Sequence, residues 1–267
     1  MIWQWFILMT SVFAITWLLG GLLIFKKDRT KSIKLFQWLL PLIGNIAILI
    51  FIALMWIELD RPPMRTMAET RLWYSFFVAW ITWFVFLKTE SKPMYILGYI
   101  MALVFLIVDI IHPEYQSKNL MPALQSPWFI PHVVVYMISY AILGAACVSA
   151  IIGRFSIRKN PNSLSDSIDL SMKLVYPGFA LLTLGMLMGA IWAKIAWGNY
   201  WSWDPKETWA CLTWLFYMLL IHLQYSHPKR HKLLSNLLVL SFLVLVITWM
   251  GIRYLPSAMS SVHVYGG

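Results

Sequence analysis

Eight stretches of this chain are apolar over a length that can cross a bilayer, at about 3–25, 36–57, 71–87, 94–111, 130–152, 171–193, 206–222 and 233–253. A helix needs roughly 20 such residues to span the hydrocarbon core, and each run avoids Asp and Glu in its middle. With 60% of 267 residues hydrophobic and only 12% charged, no soluble domain of this size could cover itself with polar surface. The expected fold class is therefore all-α, a polytopic membrane helix bundle of about eight transmembrane helices embedded in a lipid bilayer. The first run, from about Ile2 to Phe25, lacks a basic start and a small-residue cleavage site and reads as a retained helix. No internal repeat or long soluble linker interrupts the runs, so residues 1–267 read as a single integral-membrane domain.

A net charge of +10 would point to nucleic acid in a soluble protein. Here it sets topology, and no nucleic-acid partner is expected. The loops after the first, third, fifth and seventh runs hold fourteen of the 21 Lys and Arg, whereas the opposite loops hold seven, Arg61, Arg65 and Arg71 among them. By the positive-inside rule the four basic loops are cytoplasmic and both termini lie on the outer side. The loops 58–70 and 112–129, the connection between runs six and seven, and the tail after Arg253 are then external.

That sixth connection carries the chain's densest aromatic stretch, W-G-N-Y-W-S-W-D-P-K-E-T-W over 197–209, and six of sixteen tryptophans fall between Trp192 and Trp214. Asp204, Pro205 and Glu207 stand at N-cap, N1 and N3 spacing, the signature of a capping box opening a helix. Before the cap, Trp197, Tyr200, Trp201 and Trp203 are expected to form a short non-helical platform, with Gly198 permitting a tight turn or close backbone approach. An interfacial aromatic belt accounts for scattered tryptophans. Four ring residues within seven positions, followed by a charged cap, fit better a flat apolar ligand that stacks on indole faces.

Six histidines are distributed unevenly. His227 and His231 read as solvated residues of a basic loop, and His112 as a helix-end residue. His132, after Pro131 at the outer end of the fifth run, and His263, in the terminal V-H-V-Y-G-G, share the face of the tryptophan stretch. Two imidazoles can hold a haem iron from both sides. His222 is an intramembrane ionisable residue, a functional candidate by position. It lies eighteen residues beyond Asp204, about 27 Å along a helix, too far to share a metal with the outer platform. A site at His222 would need a second ligand from elsewhere. Cys147 and Cys211 lie far apart with no CxxC or CxxCH, so neither dithiol chemistry nor covalent haem attachment to this chain is expected; both read as small buried hydrophobes.

These residues carry a family resemblance. The 197–209 stretch resembles the tryptophan-rich WWD signature of the CcmC, CcmF and CcsA families of haem-handling proteins. P-H-V-V-V-Y-M-I-S-Y-A-I-L resembles the CcsA region around a first external haem-ligating histidine. The terminal H-V-Y-G resembles the H-S-Y-G that carries the second, with Val264 in place of serine. W-D-P-K-E-T-W-A, followed by His222, is similar to the CcsA helix bearing a transmembrane histidine, and E-T-R-L-W-Y-S-F is reminiscent of a segment around an external glutamate, here Glu69.

The resemblance covers chiefly the C-terminal half. It implies the CcsA half of a CcsBA-type (system II) cytochrome c synthetase, a haem lyase that exports haem b and joins it by thioether bonds to the CxxCH motif of apocytochrome c. His132 and His263 would be axial ligands of the external haem, on a platform of Trp197, Gly198, Trp201, Trp203, Asp204 and Glu207. His222 would ligate an inner, transmembrane haem, with its companion in a CcsB-type partner. The implied location is a bacterial cytoplasmic membrane with the WWD stretch on the periplasmic side, or a thylakoid membrane. Two alternatives stay open: CcmC-like delivery to a haem chaperone without ligation, and a haem- or quinone-binding electron-transfer subunit. The count of eight runs and the terminal H-V-Y-G favour CcsA over the first. The differing depths of His132 and His222 disfavour the second.

Overall fold

The computed structural model describes residues 2–26, 30–116, 126–156 and 161–251, and no strand occurs among them. The helices are α1 (Phe6–Ile24, entered through a 3-10 turn at Ile2–Trp5), α2 (Lys31–Leu59), α3 (Met67–Thr89), α4 (Lys92–Ile111), α5 (Phe129–Ser156), α6 (Ser163–Trp197), α7 (Pro205–Ser226) and α8 (His231–Val246). The all-α expectation holds, with a helix over each of the eight apolar runs. Seven are long and apolar enough to cross a membrane. The exception, α7, is long enough at 22 residues, but Thr208, Trp209, Thr213, Trp214, Tyr217 and His222 dilute its apolar character.

α6 is 35 residues long, about 52 Å at the α-helical rise, and so outruns a ~30 Å hydrocarbon core. The apolar run that marks this helix in the sequence starts only at about 171, because Ser163, Ser165, Asp166, Ser167 and Asp169 interrupt it. The helix persists through them because Leu164, Ile168 and Met172 are buried at i, i+4 spacing along one face.

The helices form two compact units, one within Met1–Asn119 and one within Leu120–Gly267. In the first, α1 packs on α2 and α4, and α3 packs on α4 and α2. Gly44 lets α2 approach α1 closely: a Cβ there would lie 3.1 Å from the Phe13 Cα and 2.5 Å from the Thr16 hydroxyl. Two hydrogen bonds tie the polar groups of this interior together. The Trp17 indole donates to Asn45 Oδ1 at 2.9 Å and the Tyr95 hydroxyl to the Trp17 carbonyl at 2.7 Å.

The link from α2 to α3 is held by Glu69, 1% exposed. Its carboxylate takes two bonds from Arg61 (2.8 and 3.0 Å) and accepts the backbone N–H groups of Arg65 (2.6 Å) and Thr66 (3.2 Å), completing a capping box with Thr66. Burial and the neighbouring Arg61 charge push the Arg65 guanidinium below its usual range, with Glu69 acting the other way. Two residues on, Arg71 pairs with the fully buried Asp109 of α4 at 2.9 Å.

In the second unit α5 and α6 form an antiparallel hairpin packed along its length. Ser139 Oγ donates to the Gly178 carbonyl and Ser171 Oγ to the Ala146 carbonyl, at 2.8 and 2.9 Å. α7 lies against α6 and α8, and α8 against α5, α6 and α7. Regular α-helix ends at Val246, and Ile247–Gly251 winds as a π-turn. Thr248 Oγ1 within it lies 2.7 Å from Thr213 Oγ1 and 3.1 Å from the Trp209 carbonyl. A π-turn widens the helix by one residue per turn, and these hydroxyls tie it to α7.

Candidate functional site

The tryptophan stretch is built as a stop followed by a start. α6 ends at Trp197, and Gly198 takes the left-handed conformation (φ 86°) as its C-cap, donating its N–H to the Lys194 carbonyl. Glycine adopts that geometry without the Cβ clash other residues meet. Lys194 Nζ returns to the Gly198 carbonyl at 2.7 Å and sits 5.5 Å from the Tyr200 ring centroid. Asp204 then caps α7: its Oδ1 accepts the Lys206 N–H at 2.8 Å, and Glu207 closes the expected capping box.

Glu207 does more than cap. Its Oε2 accepts the Ser202 N–H (2.8 Å), the Ser202 hydroxyl (3.3 Å) and the Asp204 N–H (3.2 Å). These bonds and Thr208 Oγ1 on the Trp203 carbonyl (3.3 Å) fold the loop back over the helix start. Trp203 is left at φ 61°, a left-handed conformation that costs a side-chain-bearing residue about 1–2 kcal/mol. The residue is 70% exposed. Burial of this indole cannot be what holds the strain; the hydrogen bonds on either side do.

The rings fall into two sets. Trp201 and Trp203 meet edge to face at 5.8 Å. Trp197 belongs to α6 and not to the loop, and here the structure corrects the sequence reading. It is helical, and it packs edge to face on Trp192 at 4.7 Å in a cluster with Phe129, Val133 and Ala196. The aromatic run hides the helix end because Gly198, one residue later, is the actual stop. The non-helical platform is therefore Tyr200, Trp201 and Trp203.

His132 enters this second set from α5. Its Nδ1 lies 2.8 Å from the Gly185 carbonyl of α6. A carbonyl only accepts, so Nδ1 carries the proton and the neutral ring's lone pair sits on Nε2. The imidazole stacks on Trp192 (5.6 Å, 25°) and meets Tyr136 edge-on at 4.6 Å. α5 and α6 thus bring His132 to the end of the hairpin from which the tryptophan loop departs. Sequence reasoning missed Tyr136, Gly185, Gly189 and Ser202; the only available signal was the i, i+4 spacing of His132 with Tyr136 and of Gly185 with Gly189.

Of the remaining candidates, His222 is exposed on α7, and α7 is unbroken from Pro205 to Ser226, so the separation of about 27 Å from the loop stands. His263 lies outside the described residues. His112 caps α4 and pairs with exposed Glu114 at 2.7 Å. No group of three or more His, Cys, Asp or Glu able to hold a metal ion occurs among the described residues. Cys147 is buried as expected, and Cys211 is half-buried.

The residues suit a flat, apolar iron porphyrin better than a bare ion. The Trp201 Nε1 is buried with no hydrogen-bond partner among the described residues. Exposed indole faces offer stacking, and a Nδ1-anchored imidazole is the usual form of a metal-ligating histidine.

A family model described as cytochrome C assembly protein matches residues 5–260. The cytochrome c biogenesis protein CcsA of Prochlorococcus marinus strain MIT 9301 is 31% identical over 280 residues, covering 91% of this chain and 87% of that protein. The protein of the same name from Guillardia theta is 31% identical over 277 residues, covering 91% and 89%. A higher identity, 37% over 180 residues, to the CcsA protein of strain MIT 9312 spans 56% of this chain and 57% of that one.

Proposed function

The chain belongs to the cytochrome c assembly family as a CcsA-type protein of cytochrome c maturation, and from that membership we propose that it presents haem b for covalent attachment to apocytochrome c. His132 binds the iron through Nε2 on the outer side of the membrane, with His263 as the opposite ligand. Trp201 and Trp203 carry the porphyrin face, and Trp197, Gly198, Asp204 and Glu207 shape the loop that bears them. His222, about 27 Å away along α7, serves a separate inner haem whose second ligand comes from a CcsB-type partner. Its exposure on the helix surface suits a ligand shared with another chain. The membrane is a bacterial cytoplasmic or thylakoid membrane, with the tryptophan loop outward.

The attachment adds each thiol of a CxxCH motif across one haem vinyl group. A sulfur–carbon bond forms and the thiol proton ends on the neighbouring vinyl carbon, with no net oxidation. This chain lacks a CxxC, and both thiols come from the substrate. Its own residues hold, orient and release.

The observation that carries the reading is the Nδ1 bond of His132 to the Gly185 carbonyl, which leaves Nε2 as the ligating nitrogen on a ring stacked against Trp192 of the helix that leads into the tryptophan loop. Its test is the absorption spectrum of the purified protein, with and without the co-expressed partner, in wild type and in His132→Ala, His222→Ala and His263→Ala. Two-imidazole haem lost at His132 or His263 independently of His222 supports it. Normal holocytochrome production by His132→Ala without added imidazole overturns it.

A further inference from the structure

Resting on that reading of His132, we propose that the α6 segment Gly185–Trp192 is a cradle that makes His132 the ligand that stays on the iron, so that ligand exchange takes place on the opposite face. Three contacts hold the imidazole from three directions. The Gly185 carbonyl takes the Nδ1 proton at 2.8 Å. Trp192 stacks on the ring at 25° and is itself 3% exposed, packed on Phe129 and Trp197. Gly189 forms the floor: a Cβ there would stand 2.6 Å from His132 Cε1 and 2.8 Å from Nδ1, separations that force the ring to move. Gly185 is occupied in the same way, since a Cβ on it would meet the Tyr136 ring at 2.6 Å, and Tyr136 in turn backs His132.

The consequence is mechanical. An imidazole leaves a metal by swinging or flipping about its side-chain torsions. For His132 a flip puts a C–H against the Gly185 carbonyl, and a swing breaks both the Nδ1 bond and the stack on a tryptophan that has no room to follow. Hydrogen bonds of this kind also raise the ring's strength as a ligand. A histidine of an incoming CxxCH motif therefore replaces the other axial ligand while His132 keeps the porphyrin registered. Gly185, Gly189 and Trp192 are positioning residues.

The test uses the haem-loaded complex with its partner and follows replacement of a haem ligand by added imidazole, the midpoint potential and the low-spin ferric EPR signal. Gly189→Ala should change the EPR signal and potential and speed imidazole entry about ten- to hundredfold, the scale of lost outer hydrogen bonds at metal sites. His132→Ala is the control on the underlying reading. If it leaves the spectrum unchanged, His132 is no ligand; if it alters the spectrum while Gly189→Ala matches wild type in all three readouts, the ligand stands and the cradle is overturned. Should Gly189→Ala fail to accumulate, Trp192→Leu carries the same comparison. Nitrogen-15 NMR of histidine-labelled wild type decides independently: a His132 whose Nδ1 bears no proton overturns the cradle.

Discussion

Glu207 Oε2 accepts the backbone N–H of Ser202 at 2.8 Å, five residues upstream and across the helix cap. A residue that reads in the sequence as the far half of a capping box is also the post around which the tryptophan loop turns. Glu207→Ala removes the acceptor for three donors and should cost about 1–2 kcal/mol at the cap. Limited proteolysis should show earlier cutting between residues 198 and 204, with weaker haem binding in titration. Glu207→Gln keeps an acceptor and should stay close to wild type.

Trp203 couples strain to exposure, which separates stability from function. Trp203→Gly removes a left-handed side-chain residue and should leave thermal stability unchanged or raise it by up to about 1 kcal/mol. Trp203→Ala keeps the strain and loses the ring. Both should weaken haem binding by similar factors, while the glycine variant should melt above the alanine variant. Equal melting temperatures for the two would show that the backbone strain has no energetic consequence.

The Glu69–Arg61 pair is a latch on the α2–α3 connection, and removing the buried Glu69 leaves the half-buried Arg61 charge and two backbone N–H groups without their carboxylate. Glu69→Ala should destabilise the protein by about 3–5 kcal/mol, read as a fall in the detergent-solubilised melting temperature. The double change Glu69→Gln with Arg61→Met should recover part of that loss. A Glu69→Ala protein as stable as wild type would mean that the latch carries no weight.

Close helix approach in the first unit depends on Gly44 more than the corresponding approach in the second depends on Gly178. A Cβ at Gly44 meets the Phe13 Cα at 3.1 Å, which cannot yield, whereas at Gly178 it meets side-chain atoms only, the Leu143 Cδ2 and Cγ at 2.7 and 2.8 Å. Gly44→Ala should cost about 1–3 kcal/mol as overpacking, and Gly178→Ala distinctly less. Their order in thermal unfolding checks it.

The chain's one-dimensional pattern determined the helices, because hydrocarbon allows a spanning segment no other open-ended structure and each apolar run is locally sufficient to specify one. The Asp204–Glu207 capping box was equally legible, since donor and acceptor stand three residues apart. The end of α6 was not: Trp197 looks like the tryptophans after it, and only the left-handed turn at Gly198 separates them. The start of α6 was hidden by polar residues whose buried partners Leu164 and Ile168 are set by packing. The setting of His132 belonged wholly to tertiary structure. Its carbonyl partner lies 53 residues away on another helix, and the ring fits there because two glycines on α6 face α5. Which residues meet across a helix pair depends on the rotation and register of both, and those are fixed only when the full set of side chains packs.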